Sequence, residues 1–511
     1  MKKRLLALLC AVLLVLGISA CGKGPQTDPS KSETSAPVSE QEEKKTLVTL
    51  PYTSADVLNP FQTKSRVNLD IASLLFDPLF QIDSAFEAVP VLAESAEVQG
   101  TAVTVTLRSD VRFPRGELLT ARDVVYSFQY AKESPLFAAR LENVFSAAAQ
   151  TDEIVSFTLE SPDPYAVNCL DFPVARFSTA EEEMPDGTGR YLYQSDSDGK
   201  IRLLRNETTS SFDDVSFFEL ALYDIRETVN ALPLVEIGQL TCFFLDPSKQ
   251  TVEKVGGRME TVHMNNLVFL GMNSSNDFLQ DSAVRRAISL AADKLTLSER
   301  AFSGAAVAAQ TPFHPQWSVL DPTMQTPVYD TAKAKELLEN AGYTYPEGGA
   351  KLREKEGVPL TLRLLVNSEN KARVTAAKML QEMLAVVGIG SELESIDYNS
   401  YVVRIQSGGF DLYLGEVKEP ANMSLSAFFG EEGGARYGID LDSGVPVCYR
   451  DLLAGSVEMA TFIKVFTQEV PFLPLCFRDA YLYYTGELVY EGEVSENALL
   501  GNMYTWSLRG S

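Results

Sequence analysis

The run KARVTAAKMLQEMLAVVGI, Lys371 to Ile389, passes almost at once into SELESID. Val374, Ala377, Leu380, Leu384 and Val387 recur at helical spacing, and Gly388 offers the left-handed conformation that closes a helix. A helix that stops this sharply before a strand implies layered α/β architecture with mixed sheets. The same punctuation recurs along the chain. AVTVTLRSDVRF (Ala102 to Phe113) alternates as a half-buried strand does. TARDVVYSFQYAK reads as a helix capped by Thr120, with Val124, Val125, Phe128 and Ala131 inward. DTAKAKELLENAGY has Asp330 as N-cap, Leu337, Leu338 and Ala341 as its stripe, and Gly342 as its stop. In VNLDIASLLFDPLFQID, Leu69, Ala72, Leu75 and Phe76 stand near helical spacing before a turn. LVFLGMNSS reads as a buried strand, and the stretch after it carries Val284, Ala287, Ile288 and Ala291 on one helical face.

The ends of the chain read differently. Lys2, Lys3 and Arg4 precede the apolar run Leu5 to Leu16, and ISAC closes it at Cys21. This is the pattern of a targeting segment, too short for a comfortable membrane span. Ser19 and Ala20 before the cysteine resemble a bacterial lipobox, which makes Cys21 the expected lipidation site; a plain secretory signal is the alternative. Residues 22–45 hold almost no large apolar side chains and are expected to form a disordered tether. Folding is expected to begin near Thr46, leaving about 466 residues, more than one core usually holds. The formal charge of −25 becomes −25 − 3 = −28 once the three basic leader residues are removed. Such a charge argues against nucleic acid and against an anionic bilayer as partners. Cys169, Cys242, Cys448 and Cys476 are widely spaced among apolar neighbours, which favours buried thiols over disulfides.

Several chemistries lack their residues. His263 and His314 stand in unrelated contexts, so an imidazole-based metal site is not expected. There is no GxSxG motif, no cysteine–histidine nucleophile pattern and no Walker loop. No cofactor is expected. Two classes remain: a non-catalytic binding protein, or a secreted hydrolase using a carboxylate pair that the sequence does not single out.

LFDPLF, VPVLAES, VTLRSDVRF and TARDVVYSF, then GTGRYLYQSDSDGKIRLLRN, FLGMNSS with AVRRAISLAADK, YDTAKAKELLENAGY and VPFLPLCF occur in this order. Together they resemble the extracytoplasmic solute-binding proteins of family 5, which include oligopeptide-, dipeptide- and nickel-binding proteins of ABC importers. The resemblance implies an α/β fold of the periplasmic-binding-protein type (type II, cluster C), with two main lobes closing on a hinge and a third inserted lobe. It implies lobe I from 46–57, 178–266 and 482–511, lobe II from 58–177, and lobe III from 267–481. It further implies a monomer that carries a small solute, peptides first among the classes, to a membrane permease; the tethered, lipidated end favours the outer face of a Gram-positive membrane, with a periplasmic anchor as the alternative. Oligosaccharides and metal-chelator complexes are the other solute classes.

The segment GGFDLYLGEVKEP, Gly408 to Pro420, bears on the solute. In peptide-binding relatives it runs glycine, tryptophan, two residues, then an aspartate that pairs with the α-ammonium of the peptide. Here Gly415 matches the glycine and is read as releasing the backbone, Glu416 stands where tryptophan would, and Glu419 stands at the aspartate. Glu419 keeps the charge on a longer stem, while the flat apolar wall is lost. On the bland alternative, Glu416 and Glu419 flank Lys418 in a solvated turn. By position, Tyr52, Asn273, Asn422, and Arg478 with Tyr481 are the other cleft candidates.

Overall fold

The computed structural model describes residues 48–179, 182–208, 217–228, 230–248, 258–324, 328–490 and 492–509. The expected targeting segment, Cys10, Cys21, the tether and the fold start at Thr46 lie outside the described residues.

Three sheets organise the chain. A four-stranded sheet orders Val48–Tyr52, Glu219–Asp224, Ile201–Arg205 and Tyr191–Ser195, the first pair parallel and the others antiparallel. A second, wholly antiparallel sheet orders Ala93–Gln99, Ala102–Leu107, Ile154–Leu159 and Val144–Ala149. The largest sheet has seven strands and is built on two long antiparallel partners, Arg258–Met272 and Phe472–Tyr484. Cys242–Leu245 and Ala306–Ala308 pair with Phe472–Tyr484. Leu412–Lys418, Thr361–Asn367 and Gly390–Ile396 extend the sheet from the flank of Arg258–Met272.

Both faces of the large sheet are covered, which explains why LVFLGM and FDLYLG are nearly continuous in apolar residues. Val268, Leu270, Met272, Leu412 and Leu414 join one core with the helices Ser282–Ala291, Thr331–Asn340 and Lys371–Val386. Leu267, Phe269, Phe410 and Tyr413 turn to an aromatic core with Phe428, Phe462, Phe472 and Phe477. Side chains alternate across the sheet, so one strand feeds two cores.

The helix boundaries follow local chemistry. The side chain of Asp330 accepts the N–H of Lys333 at 2.9 Å, and Gly342 takes a positive φ just past the helix end. Asp123 accepts from both the N–H and the hydroxyl of Thr120, at 2.9 and 2.7 Å, closing the first turn of Ala121–Glu133. Two sequence expectations shift. The helix over Arg66–Ala72 stops after seven residues, and Leu75 and Phe76 are buried in the turn that follows. The stretch after LVFLGMNSS forms two helices, Ser282–Ala291 and Lys294–Ala301, because Asp293 caps a new one. The four described cysteines are free thiols.

Gly415 does not release the backbone. It sits mid-strand opposite Phe269, and a Cβ there would lie 2.5 Å from the Phe269 ring. Gly271 is matched in the same way by Tyr413, with 2.0 Å to the ring. Each glycine seats an aromatic ring from the strand opposite. Gly415→Ala is therefore expected to lower stability by about 1–3 kcal/mol through overpacking, read as a lower urea midpoint at unchanged m-value.

Candidate functional site

The pairing of the two long strands shifts register twice, the wider lapse lying near their middle. Register shifts between His263 and Leu267, so Met264, Asn265 and Asn266 stand outside the ladder with Phe472–Tyr484. Bulges of this kind bend a strand and re-aim its side chains. Asn265, in this stretch, collects distant chain segments. The N–H of Glu419 donates to the carbonyl of Asn265 at 2.8 Å. Asn265 Nδ2 donates to the carbonyls of Glu419 and Pro420 at 3.2 and 2.9 Å. The N–H of Asn265 donates to Glu496 Oε2 at 3.1 Å. Glu496 in turn pairs through Oε1 with Lys418 and accepts Arg66 at its backbone carbonyl.

A cavity of about 740 Å³ opens beside this junction, lined by residues from 136–163, 265, 418–453 and 496–497. That volume lies in the range of small-molecule sites. Glu419 lies on its wall, 1 % exposed, and neither carboxylate oxygen has a hydrogen-bond partner among the described residues. Burial alone pushes its carboxyl well above the usual range. Asn422, on the turn that follows, donates to Asp163 Oδ2 at 2.7 Å, while its own Oδ1 is buried without a partner. Asn265 Oδ1 is buried and unpartnered too. Asp163 also accepts the N–H of Tyr165 at 2.9 Å, but burial outweighs both bonds and raises its pKa. All of the unsatisfied atoms at this wall are acceptors. Buried polar groups are normally bonded, so such a wall selects for donors.

The sequence candidates divide into separate places. Glu419 and Asn422 line the cavity together. Glu416, three residues earlier, turns the other way: its Oε1 accepts from Arg478 Nε at 2.6 Å and from Asn266 Nδ2 at 3.0 Å. Arg478 also donates to Asp246 Oδ1 at 2.7 Å, joining three segments in one ion cluster. Burial pushes the Asp246 carboxyl up, yet Arg478 outweighs it and holds it below its ordinary value. Gly415, Glu416 and Arg478 thus frame the cavity without lining it. Asn273 follows the end of the long strand, roughly 26 Å of chain beyond Asn265, and ties the carbonyl of Phe410 at 3.0 Å. The Tyr52 carbonyl accepts Ile225 N–H at 2.8 Å, and Tyr481 lies edge-on to Tyr483 in the sheet. None of these three lines the cavity.

Sequence reading missed Asn265 and Asp163. The doublet Asn265-Asn266 inside an otherwise apolar strand was a usable signal; Asp163, in SPDPYAV, gave none. It also placed the histidines apart, whereas the rings of His263 and His314 stand 5.7 Å from centroid to centroid, with His263 Nδ1 bonded to Asp479 at 2.8 Å. Among the described residues no group of three or more His, Cys, Asp or Glu is placed to hold a metal ion. No described helix is long and apolar enough to cross a membrane.

The fold is an α/β fold of the periplasmic-binding-protein type. HbpA2 from Haemophilus parasuis superposes with a TM-score of 0.73 at 20% identity, covering 91% of this chain and 99% of that one. Residues 87–429 match the family of bacterial extracellular solute-binding proteins, family 5 (middle region), and the chain belongs to that family. It is a solute-binding protein, not an enzyme. The chain is 26% identical over 440 residues to the oligopeptide-binding protein AppA of Bacillus subtilis, covering 80% of each. It is 24% identical over 364 residues to the nickel-binding periplasmic protein of Escherichia coli, covering 66% of this chain and 69% of that protein.

Two measurements test this electrostatic division. Arg478→Ala strands Glu416 and Asp246, whose side chains are 15% and 12% exposed. It should cost about 3–5 kcal/mol in urea unfolding. Glu419 behaves in the opposite sense. Its folded pKa lies above its unfolded value, so its contribution is full below the unfolded value, near 4.5, and is lost as pH rises through the folded value. Ligand-free Glu419→Gln should therefore melt several degrees above the native protein at neutral pH, with the gap closing toward about pH 4. A gap of the same size at both pH values contradicts the assignment.

Proposed function

We propose that this chain is the substrate-binding lipoprotein of an ABC importer, holding a peptide-like solute by its free α-ammonium at Glu419. One observation carries the reading: a buried carboxylate without a partner, on the wall of a large cavity, surrounded by further unpartnered acceptors. An ammonium supplies a positive charge and three donors, which answers both deficits. Two relatives support the class of solute from different sides, one named for oligopeptides and one for nickel. The acceptor set favours the amine.

The lobes read from the sequence fit a closing mechanism: lobe I from 46–57, 178–266 and 482–511, lobe II from 58–177, and lobe III from 267–481. The two long strands, which cross from lobe I into lobe III in this partition, are the natural hinge. A solute that touches both lobes stabilises the closed form in proportion to its differential contacts, and closure then signals occupancy to the permease. Cys21 would carry the lipid, and residues 22–45 would hold the monomeric body away from the outer face of the membrane.

Calorimetry tests the anchor. Glu419→Gln should weaken norleucyl-alanine by about 10- to 100-fold, the worth of a charged hydrogen bond, and should barely change its N-acetylated form. Equal losses for both forms overturn the assignment.

A further inference from the structure

The anchor leaves acceptors over. Four buried oxygens at the cavity wall have no donor among the described residues: both carboxylate oxygens of Glu419, Asn265 Oδ1 and Asn422 Oδ1. One ammonium brings three donors. Charge shows the same surplus. Asp163 is a second buried carboxylate on this wall, 5% exposed, and its two bonds come from neutral donors, Asn422 and the Tyr165 N–H. The cations nearby are committed elsewhere: Lys418 pairs with Glu496, and Arg140 with Asp171. Arg450 lines the cavity but is exposed. At the exposed lining, Glu142, Glu160, Glu431 and Glu432 make no ion pair among the described residues and add potential of one sign. A concave, low-dielectric wall of one sign concentrates counter-charged ligands.

We infer that the solute carries two cationic donor groups, the second an ammonium or guanidinium held at Asn422 and Asp163 beside the α-ammonium at Glu419. The inference rests on the proposed amine anchor and goes one step further, to a solute of lysyl or arginyl type. A second cation supplies the missing donors and neutralises the second buried carboxylate, whereas a neutral aliphatic side chain supplies neither. Asp163 is then a specificity-determining residue, distinct in role from Glu419.

Three dipeptides separate the two claims on the full chain by calorimetry: lysyl-alanine, norleucyl-alanine and N-acetyl-norleucyl-alanine. Norleucine matches the lysine stem without its charge. The native protein is expected to bind lysyl-alanine about tenfold or more tighter than norleucyl-alanine, in line with one charged hydrogen bond. Asp163→Asn should reduce that ratio to within about twofold while leaving the penalty for acetylation in place. Glu419→Gln should do the reverse. Equal affinity of the native protein for the lysyl and norleucyl peptides overturns the inference and leaves the amine anchor standing. Indifference to acetylation, or failure of all three to bind, overturns both. The native comparison needs no variant, so it decides even where Asp163→Asn fails to fold.

Discussion

The structure depends on one pairing, that of Arg258–Met272 with Phe472–Tyr484, and on the place where that pairing lapses. On either side of the lapse the two strands pair again, with one further register shift between Val268 and Phe269, and carry the large sheet. At Met264–Asn266 the ladder opens, while Asn265 keeps its backbone N–H and carbonyl turned to the edge shared with Leu412–Lys418. Glu419 and Glu496 take them. A backbone N–H or carbonyl buried without a partner costs as much as a lost hydrogen bond, so both groups of Asn265 must be met, and these two segments meet them. The cavity lies where they meet.

Two glutamates three residues apart show how strongly context decides the fate of a charge. Glu416 lies on the paired strand and faces Arg478, which also holds Asp246; its charge is consumed within the protein. Glu419 lies one step past the strand end, where the backbone is fixed by Asn265 and the side chain meets neither cation nor donor. Lys418, between them, is drawn away to Glu496. Folding has thus neutralised the carboxylates that stabilise the frame and left two, Glu419 and Asp163, uncompensated by any cation on one wall. A buried acid in that condition is destabilising to the free protein, and such local cost is commonly retained where a ligand repays it.

Much of the frame was legible in the sequence because its signals are local. Caps at Asp330 and Thr120, the stop at Gly342 and the apolar runs through Leu267–Met272 depend on neighbours within a few residues. The site was legible only in part. Glu419 stood out through the resemblance, but Asn422, Asn273, Tyr52 and Tyr481 were chosen by position alone, and position along the chain does not say which residues meet the cavity. Gly415 looked like a break because glycine often is one; its actual reason, the ring of Phe269 lying over it, belongs to the strand opposite. The histidines, 51 residues apart in sequence by 314 − 263, meet because His314 packs between Phe86 and Phe477, a contact that no local pattern encodes.

The sequence by itself determined the class of fold, the order of strands and helices, and the presence of an acidic segment at the end of Leu412–Lys418. Those follow from periodicity and capping, which act over a turn or two. Only the tertiary structure decided which acid would be paired and which left bare, and that Asp163 and Asn265 would share a wall with Glu419. Pairing of charge depends on distances between segments 62 to 232 residues apart, and those distances are set by how strands and turns pack rather than by any neighbouring residue.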